Sequence, residues 1–248
     1  MEMQESRRPV SLLASVTDES EARTCVALGA DIIDAKNPAS GALGALRPER
    51  IRGIRAALPA RVPVSATIGD PSDDSEYVVH AVQLTAATEV DFVKIGFWPG
   101  DGSIETISAL GRLALKGTRL VAVLLADRGI DLKLIAPLAG AGFAGVMLDT
   151  YDKRNGALLQ IASAIALREF IGAARANHVF AGLAGSLRVE HVPFLLTLAP
   201  DILGFRGGLC FEAARTATID PAAVRAVRRA CGPAPAGAMA PLQMERAL

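Results

Sequence analysis

Short apolar runs alternate with helix-forming segments along almost the whole chain, and this alternation limits the possible folds more than any other feature. Eight runs rich in β-branched residues have the length of buried strands: residues 10–16, 31–36, 62–69, 91–96, 120–127, 145–150, 178–185 and 201–207. Segments of helical period lie between and after them: residues 19–28, 48–57, 77–87, 104–115, 130–139, 158–176, 189–198 and 221–229. Regular alternation of this kind predicts a parallel sheet covered by helices.

Eight strand–helix units in 248 residues predict an α/β fold, a (β/α)8 TIM barrel in a single domain. A doubly wound sheet is the alternative, but that fold ordinarily has a glycine-rich fingerprint after its first strand, and LLASVTDES has none. We expect the catalytic barrel to span residues 9–232. Residues 233–248 are rich in Pro and Ala without a clear period, and we expect a poorly ordered tail there.

The overall charge and the metal-binding residue types exclude several classes of function. A formal net charge of 0 provides no basic field for nucleic acid or an anionic membrane. Neither a membrane span nor a secretory signal is recognisable, so a cytoplasmic protein is expected. Three cysteines without CxxC spacing and three scattered histidines indicate no disulfide framework and no metal site, and no cofactor is expected.

Lysine is rare in this chain and is found at two informative positions. Only five of the 26 basic residues are lysines, and two of them, Lys36 and Lys94, each close an apolar run that reads as a strand. Arginine does not lose its proton in proteins, whereas a desolvated lysine can become a neutral nucleophile. This placement indicates amine chemistry, with solvated charges at strand ends as the alternative.

The predicted barrel brings further charges to these lysines, because its strand ends meet at one mouth. Asp34 and Lys36 share one face of their strand and are expected side by side. Strands two, four and six would then bring Lys36, Lys94 and Asp149 together. A buried Asp–Lys ion pair that only holds the barrel together is the alternative, although burying three charges for packing alone is costly.

Two lysines in one site have a chemical use. A free lysine amine has a pKa near 10.4, so only about one in a few thousand is neutral at pH 7. A second ammonium nearby disfavours the charged form of the first. From the residues alone, either lysine is a candidate nucleophile and the other a candidate proton carrier.

Small residues follow the last two predicted strands, where barrels commonly bind phosphate. LAGSL offers the backbone amides of Gly185 and Ser186, and GFRGG offers those of Gly207 and Gly208, with Arg206 as a candidate counter-charge. Either loop alone is a weak signal. Together, in this register, they predict a phosphate site.

Six motifs in this order resemble one enzyme family: GADIIDAKNPASGALGA, VSATIGD, DFVKIGF, GVMLDT, LAGSL and DILGFRGG. The chain is similar over about residues 10–231 to the (5-formylfuran-3-yl)methyl phosphate synthases, also called 4-(hydroxymethyl)-2-furancarboxaldehyde-phosphate synthases. The resemblance implies a lyase that condenses two glyceraldehyde 3-phosphate molecules into a phosphorylated furan aldehyde, in methanofuran or methylofuran biosynthesis.

The resemblance also implies roles for individual residues. Lys36 would form the Schiff base and Lys94 would accept the proton, while Asp34, Asp149 and Lys153 complete the catalytic set. The loop WPGDGS after the fourth strand departs from the family pattern, and no substrate contact is assigned to it.

We therefore expect a lyase free of metal and cofactor that acts on triose phosphates. One triose would be held as an iminium on Lys36, deprotonated to an enamine and added to the second aldehyde, with Lys94 and Asp149 moving protons. The alternatives are a Schiff-base aldolase of another sugar phosphate and a non-catalytic phosphometabolite-binding barrel. A homo-oligomer is the expected form, although the sequence does not determine it.

Overall fold

The computed structural model describes residues 9–100 and 102–233 of the chain. Its strands are β1 Ser11–Val16, β2 Ile32–Ala35, β3 Val64–Thr67, β4 Phe92–Phe97, β5 Arg119–Leu125, β6 Gly145–Asp149, β7 Phe180–Leu183 and β8 Ile202–Phe205. Its α-helices are α1 Glu19–Ala27, α2 Pro48–Ala56, α3 Ser75–Ala86, α4 Ser103–Gly111, α5 Ile135–Gly140, α6 Leu158–Ile161, α7 Ala164–Ala176, α8 Val192–Thr197 and α9 Pro221–Cys231.

The eight strands form one closed barrel in chain order. Each strand pairs in parallel with the next, and β8 pairs with β1. The TIM-barrel prediction is therefore confirmed. No described helix is long and apolar enough to cross a membrane. Apart from Pro233, the predicted tail lies outside the described residues.

The predicted helix over 158–176 is wrong in one respect, because two helices occupy it. α6 ends at Ile161, and α7 begins after Ser163, whose hydroxyl accepts a hydrogen bond from the backbone N–H of Ala166. Serine favours such a capping position because its short side chain satisfies one of the free N–H groups at a helix start. The apolar period continues across the break, so periodicity alone does not reveal it.

Three aspartates link neighbouring strands by hydrogen bonds at the end of the barrel opposite the predicted site. Each directly precedes a strand and accepts a hydrogen bond from a backbone N–H near the start of the previous strand. The pairs are Asp31 with Leu12, Asp91 with Val64, and Asp201 with Ala181, each at 2.8 Å. These bonds satisfy strand N–H groups that would otherwise be buried without a partner.

The barrel interior is filled by large apolar side chains around its middle. Residues from all eight strands line a space of only about 10 Å³: Leu13, Ile32, Ser65, Phe92, Lys94, Val121, Met147, Phe180 and Ile202. Gly145 leaves room for the ring of Phe180, since a Cβ there would lie 2.3 Å from that ring. Toward the carboxyl ends of the strands the buried inward side chains become polar. The barrel is therefore closed below its polar end, as in other packed barrels.

Candidate active site

A cavity of about 570 Å³ opens at the carboxyl ends of the strands. Its volume lies within the range of roughly 300–1,000 Å³ typical of small-molecule sites. Four predicted catalytic residues and all five predicted phosphate-binding residues line it: Lys36, Lys94, Asp149, Lys153, Gly185, Ser186, Arg206, Gly207 and Gly208. The fifth predicted catalytic residue, Asp34, is fully buried and does not line it.

Lys36 forms an ion pair across the barrel with Asp149 at the end of β6. Its Nζ lies 3.2 Å from Oδ2 of Asp149, and both side chains are buried. Oδ1 of the same carboxylate accepts hydrogen bonds from the backbone N–H of Thr150 at 2.7 Å and from Lys153 at 2.5 Å. Burial raises the pKa of Asp149, but the ammonium groups of Lys153 and Lys36 outweigh it and hold that pKa below its usual range.

Lys94 has a separate buried carboxylate as its partner. Its Nζ lies 3.0 Å from Oδ2 of Asp34. The hydroxyls of Ser15 and Ser65 donate to the same carboxylate at 2.9 and 2.6 Å. Burial raises the pKa of Asp34, yet the charges of Lys94 and Lys36 and the hydrogen bond from Ser65 lower it on balance. Asp34 therefore remains an anion without contact with water.

The ion pairs differ from the pairing expected within one strand. Lys36 is opposed by Asp149, and Asp34 by Lys94. Residues two positions apart on a strand share a face but are separated by about 6.6 Å along it. Partners from across the barrel are closer in this narrow interior. The result is two distinct Lys–Asp couples at one cavity.

Lys153 differs from the other two lysines in its hydrogen bonds. Its ammonium donates to Oδ1 of Asp149 and to the carbonyl and hydroxyl oxygens of Thr150, which accounts for all three of its N–H donors. Burial lowers the pKa of Lys153, and the charge of Lys36 lowers it further, while Asp149 opposes both. Among the described residues, Lys36 and Lys94 each bond to a single side-chain acceptor. Their amines are therefore the ones available to a ligand.

The two small-residue loops pack tightly together and leave backbone donors unused. Gly185 has φ +107°, and a Cβ there would lie 2.8 Å from Cγ2 of Thr150. A Cβ on Gly208 would lie 2.4 Å from the carbonyl oxygen of Leu187. Only glycine fits these two positions without displacing a neighbour.

The backbone N–H groups at the cavity end of both loops are free to bind an anion. Those of Gly185, Ser186, Gly207 and Gly208 have no hydrogen-bond acceptor among the described residues. Successive backbone N–H groups without acceptors at a cavity wall are the components of an anion-binding concavity. We call these four residues the amide cradle.

Arg206 was predicted as a counter-charge for phosphate, but its guanidinium is occupied by contacts within the protein. It forms a nearly buried, two-pronged ion pair with Glu21 at 2.5 and 3.2 Å. Its other donors bond to the carbonyl oxygens of Ser15, Arg215 and Ala217. All five guanidinium N–H groups are thus engaged within the protein. An incoming phosphate would have to displace one of these bonds.

Arg215 lines the cavity and was not singled out from the sequence. One of its Nη2 hydrogens bonds to the carbonyl oxygen of Gly41 at 2.7 Å. It lies in an irregular segment after β8 that carries no motif, so the sequence offered no signal for it. In the described part of the chain, no three His, Cys, Asp or Glu side chains are grouped as a metal site.

Comparison with protein families decides the assignment. The family model described as 4-HFC-P synthase matches residues 12–228, most of the chain. The chain belongs to this family. The resemblance inferred from the motifs is thereby confirmed, and with it that the chain is an enzyme.

Relatives in the 4-HFC-P synthase family match nearly end to end. The (5-formylfuran-3-yl)methyl phosphate synthase of Methanocaldococcus jannaschii is 34% identical over 232 residues, covering 89% of this chain and 99% of the relative. A Methylorubrum extorquens protein provisionally named for the same activity is 41% identical over 220 residues, covering 88% and 90%.

Solved structures support the fold of this 4-HFC-P synthase family member. Phosphoribosylanthranilate isomerase of Thermotoga maritima has a TM-score of 0.63 at 15% identity, covering 90% of this chain and 98% of its own. A 3-hexulose-6-phosphate synthase has a TM-score of 0.58 at 18% identity, covering 89% and 99%. At such identities the likeness concerns the barrel alone.

Proposed function

We propose that the chain condenses two molecules of glyceraldehyde 3-phosphate to (5-formylfuran-3-yl)methyl phosphate through a lysine Schiff base. The balanced reaction releases one phosphate and two waters, so the enzyme is a lyase, and its product serves methylofuran or methanofuran biosynthesis. The observation that carries the proposal is the pair of buried lysines, Lys36 and Lys94, each opposed by its own buried carboxylate at one cavity. Membership in the 4-HFC-P synthase family supports the furan product.

Lys36 is the proposed nucleophile. Its amine attacks the aldehyde carbon of one triose, and loss of water leaves an iminium that withdraws electrons from the adjacent carbon. Asp149 accepts a hydrogen bond from Nζ at 3.2 Å, which orients the amine, and its anionic carboxylate opposes the charge of the iminium. Lys153 adds a second positive charge on the other carboxylate oxygen and keeps Asp149 anionic near neutral pH.

Lys94 is the proposed proton acceptor at the α-carbon of the iminium. The cavity lining includes its side chain, so a bound triose can reach it. Asp34 lies beneath Lys94 and can orient its amine and oppose the charge that forms after proton uptake. Removal of the α-proton gives the enamine from which the nucleophilic carbon of the new carbon–carbon bond arises.

The amide cradle is the proposed site for a substrate phosphate. Its four backbone N–H groups lack acceptors among the described residues, and they sit at the two loops that phosphate-binding barrels use. Backbone donors suit a group that must be held in one orientation while bonds change elsewhere.

The working form is proposed to be a cytoplasmic homo-oligomer that takes small phosphorylated substrates and engages neither nucleic acid nor membrane. Cations dominate the cavity wall, which suits anionic substrates. Light scattering on the purified protein measures the number of chains per particle.

The direct test is incubation with glyceraldehyde 3-phosphate alone. We expect an ultraviolet band typical of a conjugated furan aldehyde, a product of the mass of the furan phosphate, and one inorganic phosphate per furan. Lys36→Arg should abolish all three, while the exposed control Lys133→Arg should not. A condensed sugar phosphate without furan absorbance would indicate an aldolase instead, and binding without turnover would indicate a sensor.

A further inference from the structure

Arg215 reaches across the mouth of the barrel from the amide cradle to the loop that follows Lys36. A Cβ built on Gly207 would lie 3.7 Å from both the nitrogen and the Cβ of Arg215, so its backbone runs beside the cradle. At the far end, the guanidinium donates to the carbonyl oxygen of Gly41 at 2.7 Å. The positive charge of Arg215 is therefore displaced from the cradle toward the loop after β2.

Most hydrogen-bonding capacity of Arg215 is unused. A guanidinium has five N–H donors, and the carbonyl of Gly41 is its only acceptor within residues 9–100 and 102–233. None of its nitrogens is buried without a partner, so the remaining donors are open to the cavity that Arg215 lines. Arg206, in the same segment after β8, differs from Arg215 because all of its N–H donors are bonded within the protein.

Arg215 forms no direct ion pair within the described ranges, where no carboxylate lies within 4.0 Å of it. The carboxylates of Asp149 and Asp70 attract its charge from beyond that distance. Burial outweighs this attraction and lowers the pKa of Arg215, so its charge is stabilised further when water or an anionic ligand solvates it. A planar fork of free donors matches the oxygen pairs of a phosphate. The geometry thus suits an anion supplied from outside the protein.

We propose that Arg215 forms a second phosphate site, which binds the phosphate that the reaction expels. This inference rests on the proposed function, in which two phosphorylated trioses enter and the product keeps one phosphate. The amide cradle holds the phosphate that is retained, and Arg215 holds the other.

Expulsion needs no oxidant or reductant. A base of the site takes the proton on carbon 2 of the triose imine, and the C–H electron pair, delocalised in the enamine, forms the double bond between carbons 2 and 3. The C3–O bond breaks, and its electron pair leaves on inorganic phosphate. The enol that remains has its hydroxyl on carbon 2 and is nucleophilic at carbon 3, which then forms the carbon–carbon bond with the second triose. Arg215 opposes the charge that gathers on the departing oxygen, which is the kind of stabilisation that lowers a barrier.

The test separates the two sites by filling one of them. The protein is saturated with (5-formylfuran-3-yl)methyl phosphate and then titrated with inorganic phosphate in a calorimeter. The wild type should bind one phosphate per chain in addition to the furan phosphate. Arg215→Gln should bind that phosphate at least about tenfold more weakly, the scale of a lost charge-assisted hydrogen bond. Its affinity for the furan phosphate should change by less than about twofold.

Two further variants make the result decisive. Arg225→Gln, an exposed residue of α9, removes the same charge away from the cavity and should behave as the wild type. Arg215→Lys keeps the charge without the fork and should recover part of the phosphate affinity, which also covers the case in which Arg215→Gln fails to fold.

The outcomes that overturn the inference are distinct from failure of the proposed function. Unchanged phosphate binding in both Arg215 variants would overturn the second site. A parallel loss of furan phosphate affinity would assign Arg215 to the cradle instead. A wild type that forms furan but binds no additional phosphate would also overturn the inference, whereas a wild type that neither makes nor binds the furan phosphate would overturn the proposed function itself.

Discussion

The Nζ of Lys94 lies 3.0 Å from Oδ2 of Asp34, a carboxylate with no exposed surface. Asp34 cannot touch a substrate in the cavity, so it acts on catalysis through the lysines, of which Lys94 is the one it contacts. The hydroxyls of Ser15 and Ser65 hold the carboxylate in place. Asp34 is therefore a positioning residue for the proposed proton acceptor.

Replacing Asp34 by Asn should separate this positioning role from imine formation. The amide keeps the size of the side chain but removes the negative charge opposite Lys94, so turnover should fall by at least about tenfold. The borohydride-reduced adduct on Lys36 should still form. Thr118→Val, which removes a buried hydroxyl bond at 2.8 Å elsewhere in the barrel, is the control for lost stability. Loss of the adduct in Asp34→Asn would assign Asp34 to the nucleophilic step.

Lys94→Arg should distinguish proton transfer from simple charge. Arginine keeps the positive charge near Lys36 but does not give up its proton. Furan production should fall by at least about a hundredfold, the low end for a general base, while the Lys36 adduct persists. The exposed Lys116→Arg is the matched control. Near-normal turnover in Lys94→Arg would restrict Lys94 to an electrostatic role and leave Asp149 or Lys153 as the base.

The ion pair between Arg206 and Glu21 should matter for stability. Glu21→Gln leaves a nearly buried guanidinium without its counter-charge, which typically costs about 3 kcal/mol in the free energy of unfolding. Glu19 lies in the same turn of α1 as Glu21 and forms a more exposed ion pair with Arg50 of α2. Breaking that pair with Glu19→Gln should cost less than about 1 kcal/mol. Urea denaturation measures both. If Glu21→Gln lowered the free energy of unfolding as little as Glu19→Gln does, the buried ion pair would not be a stabilising contact.

Acid should destabilise the protein through Asp149. Its pKa is lower in the folded state than in the unfolded chain, so its ionised form contributes stability above the unfolded pKa of about 3.9, and this contribution is lost as the pH falls toward the folded pKa. Asp149→Asn should be less stable at neutral pH but lose less stability between about pH 5 and 3. Asp73→Asn, at an exposed position, should retain the wild-type slope. Parallel acid limbs for all three proteins would contradict this assignment.

The barrel and the position of its lysines were predictable because both depend on local patterns. Strand and helix periods are written in short segments, and a residue that closes a strand in a barrel must face the common mouth. This reasoning brought Lys36, Lys94 and Asp149 to one cavity, where the structure also has them.

Which side chains contact each other depended on distances that the sequence does not contain. The sequence placed Asp34 beside Lys36, whereas in the narrow barrel Asp34 pairs with Lys94 and Lys36 pairs with Asp149. The contrast between Arg206 and Arg215 depends on how the segment after β8 folds back, since carbonyl oxygens of Arg215 and Ala217 occupy donors of Arg206. The sequence cannot distinguish the two arginines, because they differ only in the groups that surround them in the fold.

The most direct test of the proposed mechanism is reductive trapping. The protein is treated with borohydride during turnover of glyceraldehyde 3-phosphate, digested and mapped by mass spectrometry. The account predicts the mass of the reduced triose on Lys36, and no adduct in Lys36→Arg. A label on Lys94 would reverse the two roles, and furan formation with no trapped lysine at all would contradict the imine mechanism.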